Sequence, residues 1–189
     1  MHSNKGKIRI IAGEYRGRRL SVPDRPGLRP TPDRVRETLF NWLGQSLGGL
    51  SCLDLFAGSG ALGFEAASRG AARVVMVEQD RAVFDLLKKA RDQIGARQVE
   101  VVLGDAFAYL RRMQSFDVVF LDPPFGQNAL PTVFRQLKPA TGMRVYVEAE
   151  EPFTADPGWG ELKRARAGQV SYQLLEWRGD DQGGLPRNV

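Results

Sequence analysis

From Ser51 onward, short apolar runs alternate with segments of helical period. Ser51–Phe56, Arg73–Val77, Val99–Leu103, Phe116–Leu121 and Met143–Val147 are rich in Val, Leu and Phe and bounded by turn residues, which predicts strands. Ala61–Ser68, Arg81–Ile94, Ala106–Met113 and Ala129–Leu137 lie between them and carry apolar residues at spacings of three and four, which predicts helices. The strands are hydrophobic almost without interruption, as strands covered on both faces must be. Strand–helix alternation with short links then predicts right-handed crossovers and an α/β fold around a mostly parallel sheet.

The two ends depart from this rhythm. Glu161–Ala167 and Gln169–Trp177 flank Gly168 with no room for a helix, so they predict an antiparallel hairpin closing one edge of a seven-stranded sheet. Gly179 to Val189 is polar and Gly-rich, and disorder is expected there. At the other end, Ile8–Ala12 and Arg18–Val22 bracket Gly13 and Gly17, suggesting a small basic hairpin. A Pro-rich connector, Pro23 to Pro32, leads to a helix starting near Asp33. Thr31 or Asp33 can cap it, and Val35, Leu39, Trp42 and Leu43 form its apolar stripe. The expected organisation is an N-terminal extension over 1–45, a main domain over 46–178 and a tail over 179–189.

Composition narrows the classes. At 189 residues the chain suits one α/β domain with a short extension. No apolar run approaches the roughly 20 residues of a membrane span, and Met1 to Lys7 is polar and basic with no apolar segment behind it. Cys52 is the only cysteine and His2 the only histidine, so neither an internal disulfide nor a zinc-ligand cluster is expected. A cytoplasmic protein without a metal is expected. The net charge of +5 is uneven: residues 1–36 hold ten Lys/Arg against three Asp/Glu, while the rest is slightly acidic. A basic arm on a near-neutral domain suits a phosphate-backbone binder, and equally an ordinary solvated terminus.

Two motifs carry chemistry. Asp54-Leu55-Phe56-Ala57-Gly58-Ser59-Gly60-Ala61-Leu62-Gly63 runs from the first strand into a helix, where glycines let a ligand approach the backbone and the helix start offers N–H groups. Glu78 ends the second strand, twenty residues after Gly58, where a carboxylate can accept both ribose hydroxyls. These features also fit a nicotinamide-dependent dehydrogenase. Asp54 shifts the balance, because a carboxylate in a buried strand needs a partner. A zwitterionic amino-acid ligand can supply one where a pyrophosphate is repelled; bonds to loop amides are the plainer alternative. Asp105, with Ala106 after the third strand, can bind a ligand or cap a helix.

Asp122-Pro123-Pro124-Phe125 follows the strand Phe116–Leu121, at the end of the sheet where α/β proteins bind ligands. An exocyclic base amine is a poor nucleophile because its lone pair is delocalised. Hydrogen bonds from its two N–H groups to the Asp122 carboxylate and the Pro123 carbonyl would aim that lone pair, and Phe125 would stack on the ring. The structural alternative is a Pro-Pro turn with Phe125 in the core.

Asp54-x-Phe56-x-Gly58-x-Gly60 resembles motif I of the class I S-adenosylmethionine methyltransferases, which are Rossmann-like. Arg9-Ile10-Ile11-Ala12-Gly13-Glu14-Tyr15-Arg16-Gly17-Arg18-Arg19-Leu20, then Arg29-Pro30-Thr31-Pro32-Asp33-Arg34-Val35-Arg36-Glu37-Thr38-Leu39-Phe40-Asn41-Trp42-Leu43, closely resembles the bacterial 16S ribosomal RNA guanine-N2 methyltransferases. The likeness runs from about Arg9 to Trp177. It implies S-adenosylmethionine bound by Thr31, Arg34, Asp54, Phe56, Ala57, Gly58, Ser59, Gly60, Glu78, Gln79, Asp105, Ala106 and Asp122. It also implies small-subunit rRNA met by Arg9, Arg16, Arg18, Arg19, Arg36 and Phe125, and no metal; with no dimerisation segment standing out, a monomer is expected. An adenine-N6 methyltransferase remains open, although 189 residues leave no separate target-recognition domain; so do the dehydrogenase and a non-catalytic RNA-binding module.

Overall fold

The computed structural model describes residues 7–21, 31–124 and 128–179. Pro23–Pro30 of the connector, Phe125 and the tail beyond Gly179 lie outside the described residues. The chain begins with a hairpin of β1 (Lys7–Arg9) and β2 (Arg19–Ser21), followed by α1 (Asp33–Trp42). Alternation follows: β3 (Ser51–Asp54), α2 (Ala61–Ser68), β4 (Arg73–Glu78), α3 (Arg81–Ile94), β5 (Val99–Leu103), α4 (Ala106–Leu110), β6 (Val118–Leu121), α5 (Ala129–Gln136) and β7 (Arg144–Ala149). The hairpin β8 (Trp159–Ala167) and β9 (Val170–Trp177) ends it.

Seven strands form one sheet in the order β5-β4-β3-β6-β7-β9-β8, parallel from β5 to β7 and antiparallel through β9 and β8. The mostly parallel sheet and its C-terminal hairpin are those expected from the periodicity. The chain winds outward from β3 to β5, then returns to the other side of β3 for β6. That reversal opens a crevice at the carboxyl ends of β3 and β6, the position where such sheets bind ligands.

Period-two alternation divides the core into two layers. Cys52, Val74, Met76, Val118, Phe120 and Tyr146 face the side covered by α1, α2, α3 and the N-terminal hairpin. Leu53, Val75, Val77, Val119, Leu121, Val145 and Val147 face the side covered by α4 and α5. Every residue of α2 is buried, which leaves its one charged side chain, Glu65, wholly inside. The Glu65 carboxylate accepts the backbone N–H groups of Ile11 (2.8 Å) and Ala12 (3.1 Å) and pairs with Arg36 (3.3 Å) and Arg69 (2.8 Å). Arg36 donates onward to the carbonyls of Thr31 and Arg9 and to Asp33. One buried carboxylate thus ties the N-terminal hairpin, α1 and α2 together. Gly13 closes the contact: a Cβ there would lie 1.8 Å from the Ser68 carbonyl oxygen.

Three expectations are corrected. Helix α1 takes Pro32 as its N-cap with no side-chain cap, because Asp33 turns to Arg36 and the Thr31 hydroxyl to Glu148. Helix α4 stops at Leu110, three residues short of the expected end. Strand β6 starts at Val118, since Asp117 is held by the amide and hydroxyl of Ser51.

Candidate active site

The loop after β3 turns sharply because Gly58 and Gly60 both adopt positive φ, 49° and 75°. A Cβ on Gly60 would also meet Met76, Leu87 and Phe64 below 3.0 Å, so the loop sits tight on the core. Two acidic side chains hold it from beneath. Asp54 Oδ2 accepts the Gly63 N–H at 3.0 Å, and Glu78 accepts the N–H groups of Gly58 (3.0 Å) and Asp80 (2.7 Å). The amides of Gly58 and Gly63 are therefore already taken.

Asp54 is buried, 3% exposed. Burial pushes its carboxyl up to about 7; the Gly63 amide opposes this and the nearby Glu78 adds to it. This has a measurable consequence. Below the ordinary value of 3.8 both folded and unfolded chains hold the proton, and between 3.8 and about 7 only the folded chain keeps it. Stability therefore falls as pH rises through that window, by up to about 4 kcal/mol for this group. Asp54→Asn keeps an acceptor for Gly63 and removes the cost. It is expected to raise the melting temperature at pH 8 and to leave it nearly unchanged at pH 4.5. An equal gain at both pH values in thermal melts would overturn this account.

Next along the crevice, Asp122 leaves the end of β6. Leu121 pairs with Val147, so Asp122 and Glu148 stand side by side one row further on, on the same face as Asp54. Burial raises the Asp122 carboxyl well above the ordinary carboxylate range, and the neighbouring Glu148 and Asp54 charges add to the rise. Burial raises Glu148 as well, against the pull of hydrogen bonds from the Tyr146 and Thr31 hydroxyls. Three carboxyl groups thus converge at the carboxyl ends of β3, β6 and β7, and no Lys or Arg among the described residues is ion-paired to any of them. Pro123 is buried and Pro124 exposed. They line a cavity of about 380 Å³ with Asn128, Glu148 and Phe153.

On the other side of the glycine loop, Asp105 caps α4 by accepting the Ala108 N–H at 2.8 Å. Beside it Leu103, 40% exposed, is the one large hydrophobic side chain left exposed among the described residues. Phe56 is half-buried, Ala57, Ser59 and Ala106 are buried, and Gln79 is exposed just past β4. Thr31 is buried against Glu148, and Arg34 is exposed on α1.

The arginines separate into groups. Arg9, Arg16, Arg18 and Arg19 are exposed. Arg9 lies by Asp33 at 3.6 Å. The hairpin turn carrying Arg16 is pinned to Ser68, at the end of α2 remote from the glycine loop, through Glu14 and Tyr15. That separation is about 12 Å along the helix. Arg36 corrects the sequence expectation: it is 1% exposed and committed to Glu65, so it has no free face for a phosphate. Arginine on a basic arm resembles a phosphate contact in sequence; only its position on the inner face of α1 turns it inward.

Sequence reasoning missed Glu148, Tyr146, Glu65 and Leu103. Two of them did leave a signal, the first acid directly after the apolar run ending at Val147 and a lone acid inside the apolar helix Ala61–Ser68.

A sequence profile of the family described as Conserved hypothetical protein 95 matches residues 8–176. The ribosomal RNA small subunit methyltransferase D of Escherichia coli is 45% identical over 183 residues, covering 93% of this chain and 92% of its own. The protein of the same name from Haemophilus influenzae is 44% identical, covering 91% and 95%. A solved structure described as the putative methyltransferase yhhF from Escherichia coli superposes with a TM-score of 0.84 at 44% identity, covering 92% of this chain and 99% of that one.

Proposed function

The chain belongs to the family described as Conserved hypothetical protein 95, and from that membership we propose that it is an S-adenosylmethionine-dependent methyltransferase acting on the exocyclic N2 amine of a guanine in 16S ribosomal RNA. The substrate is the small subunit or an assembly intermediate, and the enzyme works in the cytoplasm as a monomer. The printed names of its relatives support ribosomal RNA. The observation that carries the chemistry is the meeting of the Asp54, Asp122 and Glu148 carboxyl groups beside a glycine loop whose Gly58 and Gly63 amides are already taken.

That donor set fits the cofactor. A crevice of uncompensated carboxyl groups suits a ligand bearing a sulfonium and an ammonium, and repels a pyrophosphate. The dehydrogenase alternative loses its phosphate site on the same grounds. Asp54 faces the methionine end, with Thr31 and Arg34 closing over it. Glu78 retains lone pairs for the ribose hydroxyls beyond its two amide bonds. Leu103 offers an apolar plate to the adenine, and Asp105 accepts from its amino group.

The bound cofactor supplies an electrophilic methyl group on sulfur. The chain's own residues prepare the acceptor. Asp122 and the Pro123 carbonyl accept the two N–H groups of the base amine, which turns its lone pair toward the methyl group and stabilises the positive charge that develops on nitrogen. Phe125 stacks on the base. The displaced proton passes to the Asp122 carboxylate, whose raised affinity for protons suits that role, or to water. Arg9, Arg16, Arg18 and Arg19 meet phosphates of the RNA.

The test is methyl transfer from tritiated S-adenosylmethionine to small subunits lacking the modification, followed by nucleoside analysis. Label in N2-methylguanosine is the expected result. Label in N6-methyladenosine would overturn the guanine assignment, and no label in any RNA would overturn the substrate class.

A further inference from the structure

We propose that the Glu148 carboxylate reads the Watson–Crick edge of the target base, accepting its N1–H and thereby selecting guanine. The inference rests on the guanine-N2 reading above and names the residue that enforces it.

Glu148 is out of keeping with its strand. It follows Val145, Tyr146 and Val147 and is 7% exposed, an expensive place for a carboxylate without a cation. Its own neighbours do not account for it fully. The Tyr146 hydroxyl donates to Oε1 at 2.8 Å and the Thr31 hydroxyl donates to the same carboxylate. A carboxylate offers about four acceptor positions, so two remain among the described residues. The two hydroxyls fix the orientation of the group without exhausting it. Glu148 also lines the cavity of about 380 Å³ with Pro123 and Pro124, within the size range of pockets for small planar ligands. Strand register sets it directly beside Asp122.

Two adjacent acceptors make a pattern that only one base matches. Guanine presents N1–H and the N2 amine side by side, donor next to donor. Adenine and cytosine present their amines next to an unprotonated ring nitrogen. With Asp122 on the amine, that nitrogen would face the Glu148 carboxylate lone pair to lone pair. A buried polar group left unpaired in this way costs about 1–3 kcal/mol. A base turned out of its stack into the cavity exposes this edge for reading.

The experiment replaces the target guanine by 2-aminopurine in the RNA substrate, which keeps the amine and converts N1 from donor to acceptor. Methyl transfer to both substrates is measured for the parent and for Glu148→Gln, as kcat/KM. The intrinsic reactivities of the two amines cancel when the two guanine-to-2-aminopurine ratios are compared. The parent is expected to favour guanine by about a hundredfold. In Glu148→Gln an amide N–H can face the 2-aminopurine nitrogen, and the preference is expected to shrink at least about tenfold. A ratio equal to the parent's would overturn the proposal while leaving the guanine-N2 reading intact. A parent that labels some other base would overturn both. If Glu148→Gln turns over too slowly, equilibrium affinities for the same two RNAs with S-adenosylhomocysteine bound give the ratio directly, with the same two outcomes.

Discussion

Asp122→Ala is expected to lower methyl transfer at least about a thousandfold while leaving affinity for S-adenosylhomocysteine within about twofold. The size follows from the role proposed for the carboxylate at the reacting atom. In that proposal it accepts an N–H of the amine and meets positive charge that exists only as the methyl moves, and removing one such partner from a water-excluded site typically costs a hundred- to a thousandfold in rate. Losing the alignment of a poor nucleophile multiplies that cost. Affinity for the cofactor is preserved because the glycine loop is held by Asp54 and Glu78, not by Asp122. Single-turnover transfer and calorimetric binding separate the two effects. Activity within tenfold of the parent would remove Asp122 from the chemistry. A parallel collapse of cofactor affinity would make it a binding residue instead. The direction of its shift adds a pH signature: the ionised carboxylate is the form that accepts the amine, and burial beside Glu148 and Asp54 raises its proton affinity. Transfer should therefore rise with pH through that raised value and then level off.

Glu65→Ala is expected to be among the most damaging substitutions to stability, at about 3–5 kcal/mol, the usual cost of breaking a buried ion pair from one side. For a chain of this size that is a fall of about 10 °C in melting temperature. Glu65 is fully buried and satisfies four donors at once: the amides of Ile11 and Ala12 and the guanidinium groups of Arg36 and Arg69. Its removal strands Arg36, itself 1% exposed, inside the protein with only Asp33 as counter-charge. Function should suffer beyond stability, because the same carboxylate fixes the hairpin that bears Arg9 and the segment that brings Thr31 onto Glu148. Chemical denaturation checks the first point. A loss below 1 kcal/mol would show that the hairpin is held without Glu65, by its apolar contacts Ile8, Ile10, Tyr15 and Leu20 and its hydrogen bonds to Ser68.

Much of this protein can be read from its order of residues. Near-continuous apolar strands alternating with helical segments require a parallel sheet covered on both faces, since no other arrangement buries them. The glycine loop, Glu78 and Asp122-Pro123-Pro124 come at strand ends, so their gathering on one side of the sheet follows once the strands are parallel. These features are local in sequence, each set by a run of fewer than about ten residues. What depends on contacts between distant residues was not legible. Arg36 looks like its exposed neighbours Arg9, Arg16 and Arg18 until α1 is laid against α2 and turns it onto Glu65. Asp54, Asp122 and Glu148 are separated by 68 and 26 positions, and only strand register sets them on one face where their charges couple. Charge and burial act through space, at distances the chain does not measure along itself. For that reason the fold and the glycine loop belong to the sequence, whereas the proton affinities and the inward turn of Arg36 belong to the tertiary structure.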